Sequence, residues 1–199
     1  MLGSAALLWN GVAVAAGGDL DTEFGDGGIT RVTVGGGGQA LDVARQPDGR
    51  YVVAGTAFND ASDLDFALAR FTGDGRLDPT WSEDGQVITQ IGGRGYDEEA
   101  FAVALQPDGR VVAAGFVRDD DDLDFAVARY GNDGTLDPTF GANGRVTVPF
   151  GPGEDLASAL AIDPRGRIVA AGQRLRDGVC SATAFRSHCC KRNGLPDGI

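Results

Sequence analysis

The residues whose types could do chemistry fall into three groups. The first is the run Asp119-Asp120-Asp121-Asp122. Closely spaced carboxylate oxygens are what a hard cation such as calcium takes as ligands. Adjacent residues on an extended chain point to alternating sides, however. Neither this run nor its counterpart, residues 59–65 (NDASDLD), follows the D-x-[DN]-x-[DN]-G pattern of an EF-hand. Calcium at Asp119, Asp120, Asp121 and Asp122 is therefore the sole cofactor candidate, set against a solvated acidic loop, and the expectation is that no cofactor is held.

The second group is Arg70 and Arg129, which end the strings DFALAR and DFAVAR. A cation at the end of an apolar strand calls for a carboxylate, and Asp65 and Asp124 are the repeat partners expected. An offset of five puts them on opposite faces of one strand, so the pairing would run across strands. The third group is Cys180, Cys189 and Cys190 with the sole histidine, His188, all within the last twenty residues. An odd count with an adjacent pair matches no zinc spacing. A Cys-His nucleophile there would lack rigid support. The chain has no G-x-S-x-G, no P-loop lysine motif, no H-E-x-x-H and no C-x-x-C. Gly35 to Gln39, GGGGQ, lacks the strand-to-helix context of a phosphate cradle. No catalytic residue emerges from this inventory.

Net charge narrows the partners. At −12 over 199 residues, without clusters of Lys and Arg, the chain is a poor match for nucleic acid or an anionic membrane. The acidity suits the solubility of an exported protein. No apolar run reaches the roughly 18 residues of a membrane-spanning helix. Residues 1–18 read as a signal peptide, with Ala13-Val14-Ala15 as an A-x-A cleavage signature. The lack of Lys or Arg before it, and Asn10-Gly11 within the apolar run, leave open that Val12 to Ala16 is the last strand of an earlier repeat.

The elements that must position these side chains are written three times. AVALQPDGRVVAAG, residues 102–115, returns as DVARQPDGRYVVAG and LAIDPRGRIVAAG. Each copy predicts a hairpin: proline pre-sets φ, aspartate caps the turn, and glycine takes the positive φ that closes it. The turns carry Pro47 and Gly49, Pro107 and Gly109, and Pro164 and Gly166, the third having lost only the aspartate after proline. Runs such as VVAAG are apolar on successive residues, so both faces of those strands should be covered. The 32 glycines fall at recurring turns rather than in a collagen period.

Three registers share one period. Leu20, Leu77 and Leu136 open LDTEFG, LDPTWS and LDPTFG; Phe66 and Phe125 lie 59 apart; Gly55, Gly115 and Gly172 lie 60 and 57 apart. Each unit of about 59 residues holds four strand-like runs, in the second unit Gln86 to Ile91, Ala100 to Gln106, Arg110 to Gly115 and Asp124 to Tyr130. The fold expected is all-β: a partial propeller of about three four-stranded antiparallel blades, with an open stack of four-stranded units as the alternative. LDPTFG is expected to cross between blades, with Phe24, Trp81 and Phe140 as plugs.

The set QPDGRxVVAG, DLDFAxARY and LDPTFG closely resembles the delta-60 repeat of bacterial exported and surface proteins, over residues 19–175. The resemblance implies a β-propeller-like repeat domain, usually in a longer chain with more copies, without established catalytic activity. The units are placed at 19–76, 77–135 and 136–175. Residues 176–199 form a divergent Cys-containing tail, such as a frameshift or a degenerate last copy would produce.

The function expected is a noncatalytic repeat scaffold or binding module, secreted or held at the cell surface or in the periplasm of a bacterium, with a protein or glycan partner. The alternative is a fragment of a propeller-type hydrolase or lyase with acidic residues in its central funnel. An enzyme should place unlike polar residues at one repeat position, whereas here the acids mostly repeat. Three units cannot close alone, so the expectation is either an open arc that self-associates, two threes making a six-bladed ring, or a fragment of a longer gene product.

Overall fold

The computed structural model describes residues 18–59, 63–93, 95–119, 122–176 and 179–187. Eleven strands follow one another: β1 (Gly38–Arg45), β2 (Tyr51–Phe58), β3 (Leu64–Phe71), β4 (Gln86–Thr89), β5 (Glu98–Leu105), β6 (Val111–Arg118), β7 (Leu123–Tyr130), β8 (Arg145–Val148), β9 (Glu154–Ile162), β10 (Ile168–Arg176) and β11 (Val179–Ser187). One short helical turn, Ser82–Gly85, precedes β4. Sequence neighbours pair antiparallel into β1-β2-β3-β4, β5-β6-β7-β8 and β9-β10-β11. A single parallel bridge, Leu123 with Glu154, ties the second sheet to the third. The sheets stack as blades of a partial β-propeller, with β1, β5 and β9 side by side along the inner edge and β4 and β8 outermost.

The core lies between blades. Val52, Ala54, Phe66 and Leu68 of the first blade pack on Val111, Ala113, Ala128 and Tyr130 of the second, with Trp81 among them. Val112, Ala114, Phe125 and Val127 turn the other way, onto Ala157, Ile168 and Ala170 of the third, with Phe140 at the seam. This is why VVAAG of β6 is apolar on consecutive residues: that middle strand is sandwiched between the first and third blades, and burying one such Val side chain contributes about 2 kcal/mol.

Each hairpin turn has the geometry its residues dictate. Gly49, Gly109 and Gly166 have φ of 91°, 87° and 75°. Their N–H groups donate to the carbonyls of Gln46, Gln106 and Asp163 at 3.0, 2.9 and 2.8 Å. The third turn has moved its acid rather than lost it: Asp163 takes the place of Gln46 and Gln106, and its carboxylate accepts the Arg165 and Arg167 amides at 2.8 and 3.0 Å.

Gly55, Gly115 and Gly172 answer a different constraint. The inner strand of each blade carries one extra residue, a β-bulge, opposite the glycine. A Cβ on Gly115 would lie 1.7 Å from the Glu99 carbonyl oxygen, and on Gly55 or Gly172 1.9 Å from the carbonyls of Gln39 or Leu156. The bare backbone is what lets the bulge form.

Two expectations need correction. The sequence units 19–76, 77–135 and 136–175 are not the blades. Gln86 to Ile91, placed in the second unit, forms β4 and completes the first blade beside β3; likewise β8 completes the second. LDPTW therefore links β3 to β4 within one sheet instead of crossing between blades. The tail at 176–199 also contributes a strand: β11 pairs with β10 over nine residue pairs and stands where DFALARF and DFAVARY stand in the other blades. Of the residues in that tail, His188, Cys189 and Cys190 lie outside the described residues, as do residues 1–17.

Candidate functional site

Position by position, the charged residues of the repeat converge on one cluster in each of the first two blades. The Asp78 carboxylate, 2 % exposed, receives Arg70 Nε at 2.9 Å and Arg50 Nε at 3.0 Å. In the second blade Asp137 receives Arg129 Nε and Arg110 Nε, each at 2.9 Å. The LDPT turn is built around this carboxylate: its other oxygen accepts the amide and hydroxyl of Thr80, or of Thr139, two residues on. Burial alone would push Asp78 and Asp137 up. The threonine contacts and the two guanidiniums outweigh it and hold both below the usual carboxylate range.

These partners replace the expected Asp65 and Asp124. The arginine ends its strand where the chain turns into LDPT, so the nearest buried acid lies eight residues ahead, not five behind. The arginines also serve the plugs. Arg129 stands 4.6 Å over the Phe140 ring and Arg70 5.6 Å over Trp81. Arg70 Nη1 reaches the Asn132 carbonyl of the next blade at 3.0 Å.

Asp65 instead accepts the Asn59 side-chain amide at 2.9 Å, and burial raises its pKa. Near it lies a group the sequence reading missed: Glu98, 0 % exposed at the start of β5, accepts the backbone N–H groups of Ile91 and Gly92 at 2.6 Å each. Burial pushes Glu98 up to about 7, against those two hydrogen bonds, and Asp65 adds to the rise. Asp155 takes the equivalent place in β9, also 0 % exposed. The available signal was the acidic start of the second and third inner strands, Glu98 within Asp97-Glu98-Glu99 and Asp155 after Glu154, hidden because the first blade has Gly38 there.

The acidic loop has structural duties at both its described ends. Asp119 accepts the Asp122 amide at 2.9 Å, and Asp122 accepts the Gly153 amide of the next blade at 2.7 Å. Asp120 and Asp121 lie outside the described residues. Among the described residues no group of three or more His, Cys, Asp or Glu side chains is placed to hold a metal ion.

The plugs differ in surroundings. Trp81 and Phe140 are 0 % and 4 % exposed between blades. Phe24 is half-buried, edge-on to Tyr51 at 5.8 Å, and overlooks a groove of about 840 Å³ between residues 30–34 and the open face of the first blade. All the exposed large apolar side chains among the described residues, Val43 and Leu20 foremost at 58 % each, fall within residues 20–88.

The model of a family described as a domain of unknown function (DUF5122) beta-propeller matches residues 46–80 and 106–140. Both segments start at the QPDGR turn, and the first ends at Thr80 of LDPT, the second one residue beyond it at Phe140, so each spans the arginine–aspartate cluster. Fold and match together define a β-propeller repeat module. No curated protein matches the chain, and no helix among the described residues is long and apolar enough to cross a membrane.

Proposed function

We propose that the chain is a noncatalytic scaffold of delta-60 type from an exported bacterial protein, presenting a propeller face and inter-blade loops to a glycan or protein partner. The observation that supports this is the use made of its charges: Arg50, Arg70 and Asp78 do in the first blade what Arg110, Arg129 and Asp137 do in the second. Identical groups spent on identical bonds leave no division of labour between nucleophile, base and acid. The unlike acids, Glu98 and Asp155, are shut between blades.

Incubation with a panel of bacterial surface polysaccharides tests the reading. Retention of the chain on polymer without release of reducing ends is expected. Release of reducing ends that Glu98→Gln abolishes would make the chain a hydrolase or lyase instead. The scaffold reading also carries no calcium requirement: melting midpoints in millimolar calcium and in chelator should agree, since a native-state site would raise the former by mass action.

A further inference from the structure

We propose that the two open ends of the arc are halves of one interface, and that in a dimer of this chain residues 20–34 of each copy complete the third blade of the other, closing a ring of six blades. This rests on the propeller-repeat reading and adds an occupant for its open faces.

Residues 20–34 are the closing part of a blade whose inner strands are not among the described residues. LDTEFG matches LDPTWS and LDPTFG, and Arg31-Val32-Thr33-Val34 is the same tetrapeptide as β8, Arg145-Val146-Thr147-Val148. The segment already sits on the first blade as its counterpart sits on the second. Gly25 donates its N–H to the Asp74 carbonyl at 2.8 Å, as Ser82 does to the Asp133 carbonyl at 2.8 Å. A Cβ on Gly75 would meet Phe24 at 3.0 Å, as one on Gly134 would meet Trp81 at 3.0 Å. Yet among the described residues no strand pairs with residues 30–34.

The third blade shows the converse. It has β9, β10 and β11, and β11 is an edge strand with β10 as its one partner among the described residues. Equivalent faces differ accordingly. Tyr51 and Val53 are half-buried where Val111 and Ala113 are fully covered; Val169 and Ala171 are half-buried where Val112 and Ala114 are fully covered. The groove beneath residues 30–34 is the space that β2 and β3 fill at the next joint.

Charge completes the match. Asp21 occupies the position of Asp78 and Asp137 but is exposed and has no ion pair among the described residues. Arg167 stands in the third blade where Arg110 stands in the second, and Arg186, opposite Val169, holds the register of Arg129 opposite Val112. The acid lies at one end of the arc and its two arginine positions at the other. An end-to-end contact made twice closes a two-fold ring, and six blades fall within the four to eight of closed propellers.

The observed β7–β8 register transfers directly: Val32 should face Ala184, and Thr33 should face Thr183. The full chain with Cys180, Cys189 and Cys190 changed to Ser is the background. Sedimentation should give twice the chain mass. Val32→Cys with Ala184→Cys, or Thr33→Cys with Thr183→Cys, should form a disulfide between chains, while Val32→Cys with Thr183→Cys, displaced by one residue, should not. Asp21→Ala should raise the dimer dissociation constant about thirtyfold by removing the carboxylate that crosses the joint, Arg167 keeping only its bond to Asp163.

A monomer, a disulfide within one chain, a ladder of open oligomers, or equal cross-linking in the displaced pair each overturns the proposal. Glycan binding does not enter these readouts. A dimer that retains no polymer sinks the functional reading alone, and a monomer that retains it sinks this one alone.

Discussion

At the scale of single residues, the fold concentrates its charge in places where removal is costly. Arg129 is 3 % exposed and shares Asp137 with Arg110. Arg129→Ala should lower stability by about 3 kcal/mol by leaving that carboxylate buried and half-paired, read as a drop in the urea midpoint; an unchanged midpoint would show that Arg110 alone satisfies it. Glu98 acts in the opposite sense. Its folded value of about 7 lies above its ordinary 4.5, so the folded state holds the proton more tightly than the unfolded one. Stability should then fall as pH rises from about 4.5 to 7, by up to about 3 kcal/mol. Asp78 and Asp137 are held low, so their contribution is present above the ordinary carboxylate value and is lost only in stronger acid. Urea midpoints at pH 5 and pH 7.5 should therefore favour pH 5, with the difference shrinking in Glu98→Gln; a stability that rises over this interval would contradict the assignment. The arginines were legible in the sequence as buried cations because they end apolar runs. Their partner was not, because the choice between Asp65 and Asp78 depends on a chain reversal after β3 that pattern alone does not orient.

At the scale of elements, the hairpins were readable because their turn residues act locally: proline, aspartate and glycine dictate the QPDGR turn without help from the rest of the chain. The glycines ending VAG and AAG were readable as landmarks, but their reason is tertiary. The Glu99 carbonyl presses against the bare α-carbon of Gly115 at the bulge. Gly115→Ala should cost about 3 kcal/mol, since backbone and not a movable side chain occupies the Cβ position, whereas Gly95→Ala has open space around it and should lose less, despite its φ of 88°. Comparison of the two urea midpoints checks this, and equal losses would show that the bulge accommodates a Cβ as readily as the open turn at Gly95 does. β11 was obscured because VCSATAFRS lacks the DFAxARY spelling, although its register against β10 keeps an arginine at the same place.

At the scale of the whole molecule, blades are held to one another by faces and plugs, with β7–β9 adding one bridge between the second and third. Trp81 bears on two blades at once, and its Nε1–H is buried without a hydrogen-bond partner. Trp81→Ala should cost about 4 kcal/mol. Trp81→Phe, which installs the ring found at 24 and 140, should cost clearly less because it removes that orphaned donor along with part of the packing. Equal losses in the two variants, measured by thermal unfolding, would mean that the indole fits its seam in a way phenylalanine cannot. The period near 59 residues made the stacking legible, but not its phase: each blade takes its outer strand from the unit that follows. That offset bears on how such a gene can change length. Recombination between two copies at matching positions deletes or duplicates one period of codons, wherever in the copy the crossover falls. The joined product still reads inner strands, then LDPT, then the next outer strand, so every internal blade is whole. Arrays of this kind can thus grow or shrink by entire blades in one genetic event without passing through a broken sheet.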